Sequence, residues 1–423
     1  MRQTIEAESA GYPLYRIRRE EYTTPNKVPF RVSPTPFEVT KEQSQELGNI
    51  GRDIADYIDI IDELYRTQAG IRNLLDRGKP EIFTSEHDSQ YLFYRPDIII
   101  TPSGFSIVEV ETSPFGLALA SILNSAYRKE GFNTLVDEDA LSSHMRKTLP
   151  VEGTLLYTHK TAAYAGQLSF LADRIISGED HRWSAQHLGQ NPSNGGVIYR
   201  GFYLSEYLSD PGVKALLEAR EYSEEKIFPS LTPHLEEKTI LSLLWDKRWE
   251  GYIRKQLGDT AFAHLRGVIP PSWIVGEEEF FSPGLPNGIS SSVDLATISK
   301  SKRAFVLKSS GFRDGSSWSE GVHFLHKTSS DSAANTLRAA ATDPTGLHIV
   351  QTFNQGVKIP IQYQGLEGND GTMMARVRLT PYVSATTGAM VAMKATGCEN
   401  TDYIHASTAS INTAVMEKPT VLF

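Results

Sequence analysis

Two glutamates lie two positions apart in the otherwise apolar stretch IVEVETSPFG, which covers residues 107–116. If this stretch is a β-strand, Glu109 and Glu111 point to the same face, because side chains alternate between the two faces of a strand. Neighbouring carboxylates repel each other, and burying them without a positive partner is costly. The pattern therefore predicts either a solvated strand face or a site that holds a cation.

A third carboxylate precedes this pair. Asp97 opens the strand-like run DIII, and a short PSG turn separates that run from the one carrying the glutamates. This arrangement predicts a β-hairpin, whose pairing would bring Asp97 beside Glu109 and Glu111. Three carboxylates on rigid strands suit Mg²⁺, a hard cation usually bound together with substrate phosphates. A solvated acidic edge and a glycoside hydrolase with paired carboxylates remain open alternatives on these residues alone.

A lysine followed by a Gly/Ser-rich loop is the second candidate for chemistry. In the stretch AFVLKSSGFRDGSSWSEGVHF, Lys308 ends an apolar strand and precedes the loop. Successive backbone N–H groups of such a loop can bind an anion, and the lysine supplies a point charge. The Gly-Lys-Ser/Thr pattern of a P-loop is absent. An ordinary surface loop is the alternative.

Two further strands carry polar residues at informative spacing. The strand GLHIVQTF ends with Gln351 and Phe353, which could line an adenine pocket or belong to an ordinary buried strand. Arg376 and Arg378 in MMARVRLTPYV are two apart and share a strand face, so they could clamp a phosphate or a carboxylate. Ordinary salt bridges are the alternative for both. Arg200 in VIYRGFY is a further candidate anion contact.

The composition narrows the class of protein. The 423 residues carry a formal net charge of −9 and no block of Lys and Arg, which argues against a nucleic-acid partner. Cys398 is the only cysteine, which excludes an internal disulfide framework and favours a reducing compartment. The N-terminus lacks the apolar segment of a signal peptide, and no apolar run reaches the about 18 residues of a membrane span. We therefore expect a cytoplasmic protein without a membrane partner.

Periodicity predicts the elements that position these residues. Apolar residues at helical spacing predict a helix over residues 41–68, and GLALASILNSAYRK predicts another after the hairpin. A strand–helix–strand rhythm from residue 151 predicts a small parallel sheet unit. LEEKTILSLLWDKRWEGYIRKQL reads as one helical stretch. In the last third, GLHIVQTF, VKIPIQYQ, TMMARVRLTPYV and AMVAMKA predict one antiparallel set.

The order of these motifs resembles that of the ATP-grasp superfamily in its permuted form, as in glutathionylspermidine synthetases and eukaryotic glutathione synthetases. The usual order places the nucleotide lysines first, whereas here the carboxylates come first. RPDIIITPSGFSIVEVETSPFG resembles the R-x-D…E-x-N metal segment, and LEEKTILSLLWD resembles the NKA-x-L helix. VLKSSGFRDG is similar to VLKP…REGG, and HIVQTF to the hinge strand at the adenine.

The resemblance implies an α+β or α/β chain with the ATP-grasp fold, in which antiparallel sheets enclose ATP, and an inserted small parallel α/β domain. Residues 1–40 are rich in Pro and polar residues and predict an irregular N-terminal arm. The resemblance implies a helix with the metal carboxylates at 41–150 and the inserted substrate domain at 151–225. A helical segment and linker would follow at 226–300, and the ATP-binding strands with the glycine loop at 301–423.

The resemblance also implies roles for individual residues. Arg95 would face the reacting acyl phosphate. Mg²⁺ would be held by Asp97, Glu109, Glu111 and a further candidate, Asp314. ATP would be bound by Lys238, Lys308, Arg313, Gly315, Gln351 and Phe353. Arg200, Arg376 and Arg378 are candidate substrate contacts.

The implied reaction is that of an ATP-dependent, ADP-forming carboxylate–amine ligase, which makes an amide through an acyl phosphate. Its cofactors would be ATP and Mg²⁺, and its substrates a small-molecule or peptide carboxylate and an amine. Glu111 departs from the family by standing where Asn is usual, and Ser309 stands where Pro is usual. The alternative is a degenerate ATP-grasp protein that binds nucleotide without catalysis.

Overall fold

The computed structural model describes residues 1–9, 11–14, 28–84, 89–189, 197–220, 227–313, 321–366, 368–399, 404 and 409–419. These residues form a mixed α+β architecture. The helices are α1 (Arg2–Ser9), α2 (Lys41–Thr67), α3 (Ala69–Leu75), α4 (Leu117–Lys129), α5 (Ala140–Thr148), α6 (Ala165–Phe170), α7 (Pro211–Arg220), α8 (Thr239–Leu243), α9 (Lys247–Leu257), α10 (Asp259–Val268) and α11 (Ser330–Ala341). None of them is long and apolar enough to cross a membrane.

The strands fall into three larger sheets and one short pair. They are β1 (Arg31–Val32), β2 (Phe37–Val39), β3 (Phe93–Thr101), β4 (Gly104–Glu111), β5 (Glu152–Tyr157), β6 (Arg182–His187), β7 (Val197–Gly201), β8 (Ile227–Phe228), β9 (Ser272–Ile274), β10 (Phe305–Ser309), β11 (Val322–Phe324), β12 (His348–Thr352), β13 (Lys358–Tyr363), β14 (Gly371–Ser384), β15 (Met390–Glu399), β16 (Ile411–Thr413) and β17 (Val415–Glu417). The short pair joins β2 and β17 in parallel.

The large sheet has the order β1-β16-β15-β14-β3-β4, with β13 also paired to β14. Its hairpin β3–β4 turns over two residues, as the sequence predicts. Along β14, Val377 and Leu379 join the hydrophobic core that includes α2, while Arg376 and Arg378 line a pocket on the other face. Along this part of β14, one side of the strand therefore faces the core and the other faces the pocket.

Helix α2 confirms the helix predicted over residues 41–68. Thr40 and Gln43 form a capping box, in which each side chain hydrogen-bonds to the backbone of the other residue. The apolar residues that recur at helical spacing, including Leu47, Ile54 and Ile61, are fully buried. Amphipathic periodicity was thus sufficient to locate this element.

The small sheet has the order β11-β10-β12-β9 and is antiparallel throughout. The prediction of one antiparallel set in the last third is therefore wrong for β12, which lies in the small sheet while β13, β14 and β15 lie in the large one. Strand β12 is buried along nearly its whole length between β10 and β9. A strand buried on both faces carries no alternation that would indicate its partners.

The parallel sheet has the order β6-β5-β7-β8, and all of its described pairings are parallel, as the strand–helix–strand rhythm predicts. Helix α6 continues into a π-helical segment, Leu171–Ile176, before β6 begins. The last strand, β8, lies just beyond residue 225. The domain boundaries drawn from the sequence stay predictions.

The N-terminal residues, expected to form an irregular arm, contain helix α1 and strands β1 and β2. Ile5 of α1 is fully buried, and Arg2 donates hydrogen bonds to the carbonyl oxygens of Val28 and Phe30. Strand β1 pairs in parallel with β16. An isolated eight-residue helix is marginal in water, so α1 depends on tertiary contacts that local sequence does not display.

The helical stretch expected over residues 235–257 is broken in two. Helix α8 ends at Leu243, and Asp246 caps α9 by accepting a hydrogen bond from the backbone N–H of Arg248. The first helix also begins later than expected, at Thr239, so Lys238 is the N-cap residue of α8 rather than a residue within a long helix.

Candidate active site

The β3–β4 hairpin brings the three predicted metal carboxylates together. Asp97 pairs with Glu109 across the hairpin. Each of Asp97, Glu109 and Glu111 offers an oxygen, and these oxygens lie within 4.8 Å of one another. Asp97 is only 2% exposed, whereas about a third of the Glu109 and Glu111 side chains is exposed. The three residues form a pocket-facing cluster rather than a solvated strand face.

A β-bulge in β4 shapes this cluster. Asp97 pairs with Glu109 but the next residue, Ile98, pairs with Ile107, so Val108 is the additional residue. A bulge leaves such a residue outside the regular ladder and bends the strand. The carbonyl oxygen of Val108 accepts a hydrogen bond from Lys308 Nζ at 2.5 Å. The bulge therefore supplies a backbone acceptor beside the carboxylates.

Two arginines of the large sheet neutralise Asp97. Arg95 Nε lies 3.0 Å from Asp97 Oδ1, and Arg378 Nη1 lies 2.9 Å from Asp97 Oδ2. Burial alone would raise the pKa of Asp97, but Arg378 and Arg95 outweigh it and hold the pKa below its ordinary value. Arg95 also pairs with Glu111 and donates to the carbonyl oxygen of Phe115. Asp97 is thus an anion at neutral pH.

Two lysines approach the cluster from the small-sheet side. Lys238 Nζ lies 3.0 Å from Glu109 Oε1. Lys308 Nζ donates to Gln351 Oε1 at 2.7 Å in addition to the Val108 carbonyl. Burial would raise the pKa of Glu109, but Lys238 above all lowers it below its ordinary value. Burial lowers the pKa of Lys308 to about 8.

Glu111 differs electrostatically from the other two carboxylates. Burial raises the pKa of Glu111 to about 7, although the guanidinium of Arg95 opposes the shift. The charges of Asp97 and Glu109 add to the rise. Glu111 is therefore the one of the three carboxylates that takes up a proton most readily.

A cleft between the large and small sheets connects these groups. It is lined by Asp97, Ile99, Val108, Glu109, Val306, Lys308, Val322, Phe324, Gln351, Thr352, Phe353, Asn354, Gly356, Arg376, Arg378 and Ile404. One end is charged. The other is aromatic, where the Phe324 and Phe353 rings lie 5.4 Å apart and His326 stacks on Phe353 at 4.6 Å. An anionic group and a planar ring could occupy the cleft together.

Most of the site residues predicted from the sequence lie in or beside this cleft. They are Arg95, Asp97, Glu109, Glu111, Lys238, Lys308, Gln351, Phe353, Arg376 and Arg378. Arg376 donates from Nε to the carbonyl oxygen of Gly356 at 3.1 Å, which holds its side chain along the cleft wall. Asp314 and Gly315 lie outside the described residues.

Two predicted residues are engaged elsewhere. Arg200 is 1% exposed, pairs with Glu236 and donates to the carbonyl oxygen of Phe202 at 2.9 Å. Arg313 pairs with Asp343 and donates to Thr345 Oγ1 at 2.9 Å. Neither lines the cleft. These contacts therefore give no support to the predicted roles of Arg200 in substrate binding and of Arg313 in nucleotide binding.

Lys394 is a buried lysine that interacts electrostatically with Arg378, Arg95 and Asp97, and the sequence analysis did not single it out. It lies on β15, opposite Thr380 of β14, and donates to Thr396 Oγ1 at 2.8 Å. Burial above all, and then the charges of Arg378 and Arg95, lower the pKa of Lys394 to about 7. The stretch AMVAMKA reads as an ordinary buried strand. A lysine inside such an apolar run was the signal that could have identified it.

Comparison with known proteins defines the class of fold. The sequence matches no protein-family model and no curated protein. The structure does match solved structures, and it shares the fold of a protein described as glutathione synthetase-like.

One match is a glutathione synthetase-like effector from Globodera pallida in its apo form, with a TM-score of 0.58 and 11% identity, covering 98% of this chain and 96% of that chain. Another, named "Putative gamma-glutamylcysteine synthetase", from Methylobacillus flagellatus KT, has a TM-score of 0.44 and 10% identity over 88% of this chain and 87% of that chain. The first likeness shows the fold alone, and the second is too distant to carry an argument.

Proposed function

We propose that the protein is an ATP-dependent, ADP-forming carboxylate–amine ligase. The observation that carries the proposal is that Lys308, which lines the cleft, and Lys238, which pairs with Glu109 beside it, both lie against the carboxylate cluster. Carboxylates bind a divalent cation and lysines bind phosphates, so a cleft that has both on opposite walls suits a metal–nucleotide complex. The glutathione synthetase-like fold supports the same conclusion.

The donor set fits Mg²⁺. Asp97, Glu109 and Glu111 offer oxygen atoms within 4.8 Å of one another, and Mg²⁺ is a hard cation that prefers oxygen ligands. These three residues would hold the ion. When bound, it would neutralise the charge that develops on the phosphates during phosphoryl transfer.

The two ends of the cleft suit the two ends of ATP. Lys238 and Lys308 would bind the phosphates, and the aromatic end with Phe324 and Phe353 would receive the adenine ring. Gln351 holds Lys308 by accepting its hydrogen bond, so Gln351 would orient the lysine toward the phosphates. Enclosure between two sheets would keep water from the reacting groups.

The arginines would stabilise the anionic intermediates. A substrate carboxylate oxygen attacks the γ-phosphorus and displaces ADP, giving an acyl phosphate. The amine nitrogen then attacks the acyl carbon, loses a proton and displaces inorganic phosphate. Arg95 and Arg378 carry positive charge beside the cluster and would stabilise the transferred phosphoryl group and the tetrahedral oxyanion.

The name of the Globodera pallida neighbour points to the substrate class. A glutathione synthetase-like fold favours a peptide-like carboxylate donor and an amine acceptor. Arg376 and Arg378 lie at the cleft and are candidate contacts for the anionic donor. The parallel sheet unit would contribute the remaining substrate contacts.

ADP release tests the proposal. Purified protein is incubated with MgATP and a panel of peptide and small carboxylates paired with amines, and ADP is measured by a coupled assay. Glu109→Gln should abolish any ADP release, because it removes a metal ligand and the partner of Lys238 together. The exposed Glu38→Gln serves as the matched control and should behave like the wild type. Unchanged release in Glu109→Gln would contradict the proposal.

A non-catalytic nucleotide-binding protein is the second candidate, and Glu111 favours it. Glu111 stands where the family usually has Asn, and its raised pKa shows that the added charge is not fully compensated. Thermal unfolding separates the two candidates together with the ADP assay. A Mg²⁺-dependent rise of Tm with ATP but no ADP release across the panel would favour this candidate. No rise of Tm at millimolar ATP would contradict both.

A further inference from the structure

The main chain at Lys238 is fixed to the small-sheet side of the cleft. Thr239, the next residue, donates from its backbone N–H to Ser310 Oγ at 2.9 Å, and the two hydroxyls lie 2.6 Å apart. Both residues are buried, and Ser310 directly follows β10, which carries Lys308. The backbone of Lys238 therefore belongs to the same structural unit as Lys308.

The side chain of Lys238 nevertheless extends to the other side of the cleft. Its Nζ lies 3.0 Å from Oε1 of Glu109, which is on β4 of the large sheet. Glu109 is one of the three clustered carboxylates. The ammonium group thus already supplies part of the positive charge that a metal ion at the cluster would supply.

The three carboxylates differ in where their cationic partners come from. Asp97 pairs with Arg95 and Arg378, and Glu111 pairs with Arg95. These arginines lie on β3 and β14, in the same sheet as the carboxylates. Glu109 instead pairs with Lys238, which is anchored across the cleft. This ion pair is the one that a ligand entering between the sheets would meet.

We propose that Lys238 exchanges partners as the site fills. It pairs with Glu109 in the apo protein, and it transfers to a phosphate of the nucleotide once a divalent cation binds Glu109. The inference rests on the proposed function and adds regulation of the same site. Only the side chain has to move, since Thr239 and Ser310 hold the backbone.

Partner exchange couples the binding of metal and nucleotide. A cation that binds alone must displace Lys238 from Glu109 and so break that ion pair. A nucleotide that binds alone must draw Lys238 away and leave Glu109 without its partner. When both bind, each group gains a new partner, so the binding of one ligand favours the binding of the other.

Mn²⁺ binding in the absence of nucleotide tests the exchange, with electron paramagnetic resonance as the readout. Lys238→Met keeps the length of the side chain and removes its charge. We expect it to bind Mn²⁺ roughly fivefold more tightly than the wild type, because the cation no longer competes with an ion pair worth about 1 kcal/mol. The same variant should bind MgATP more weakly, since the phosphate contact is lost. Partner exchange therefore predicts that one variant binds Mn²⁺ more tightly and MgATP more weakly than the wild type.

The controls separate this inference from the proposed function. Lys247→Met removes an exposed lysine nine positions away and should leave both affinities unchanged. Lys238→Gln repeats the test with a polar side chain, and thermal unfolding verifies that each variant is folded. Unchanged or weaker Mn²⁺ binding in the folded Lys238 variants overturns partner exchange. Retention of Mn²⁺ binding by Glu109→Gln instead overturns the metal site, and with it the proposed function.

Discussion

Asp97 and Arg378 form an ion pair at 2.9 Å although 281 positions separate them in the sequence. Their strands, β3 and β14, are neighbours in the large sheet, and the Asp97 side chain is almost fully buried. Arg95 provides its second cationic partner. The ion pair therefore connects a strand from the N-terminal part of the chain with one from the C-terminal part. It does so at Asp97, whose charge most needs a partner because the residue is buried.

Removal of Arg378 should destabilise the protein. We expect Arg378→Met to lower the free energy of unfolding by about 1–3 kcal/mol, because Asp97 keeps one cationic partner and loses the other while buried. The double variant Arg378→Met/Asp97→Asn should regain part of the lost free energy of unfolding, since it has no buried carboxylate that lacks one of its cationic partners. Urea unfolding at pH 7 measures both effects. An additive double variant would show that the two residues do not interact energetically.

The aromatic end of the cleft should be selective for the base of the nucleotide. Phe353→Ala should weaken ATP binding roughly tenfold, because the ring that contacts Phe324 and His326 would no longer be available for stacking. Binding of inorganic tripolyphosphate, which has no base, should not change. Calorimetry measures both ligands, and Met374→Ala, an exposed residue of β14, is the control. Equal losses for both ligands would refute this assignment.

The hydroxyl pair of Thr239 and Ser310 should stabilise the junction between α8 and β10. A double-mutant cycle of Thr239→Val and Ser310→Ala should give a coupling of about 1 kcal/mol in urea unfolding, as expected for a buried hydrogen bond. Ser309→Ala provides the matched cycle with Thr239→Val and should give a coupling near zero. Equal coupling in both cycles would mean that the contact has no specific energetic role.

His264 should make stability depend on pH. Hydrogen bonds to Asp53 above all, and then to Glu46, raise the pKa of His264 to about 9, although burial opposes the shift. Because the folded pKa exceeds the unfolded value of about 6.5, the stabilisation is complete below that pH and is lost as pH rises toward 9. The full contribution is up to about 3 kcal/mol at low ionic strength.

Chemical unfolding of the wild type and His264→Gln across pH 6–9.5 measures this contribution. The difference in unfolding free energy should be largest at the acid end and should shrink as pH rises. A difference that grows with pH would show that His264 is neutral in the folded protein. His264 lies on α10, contacts α2 and does not line the cleft. The wild type and His264→Gln should therefore have the same affinity for ATP.

Local patterns in the sequence were sufficient for the elements that carry the chemistry. Alternation and the PSG turn predicted the β3–β4 hairpin, and with it the approach of Asp97 to Glu109. Helical periodicity predicted α2 nearly to the residue. These predictions succeed because neighbours within a strand, a helix or a hairpin are close in sequence, so a short stretch contains all the necessary information.

Long-range pairing could not be predicted in the same way. Strand β12 was grouped with the strands of the large sheet but pairs with β10 and β9, because a fully buried strand carries no sign of its partners. The buried Arg200 has its partner in Glu236, which lies 36 positions away. Lys394 was overlooked because its strand is otherwise apolar. In each case the deciding contact comes from a distant part of the chain.

The amino-acid sequence alone indicated which residues carry most of the charges of the cleft, and it placed those of the β3–β4 hairpin on the correct strands. The tertiary structure determined how they face each other: a bulge at Val108 receives Lys308, the start of α8 places Lys238 beside Glu109, and Arg378 reaches Asp97 on the neighbouring strand. Charge and periodicity are local properties of a sequence. The distance between two charges depends on how the sheets pack, and that distance gives the cleft its chemistry.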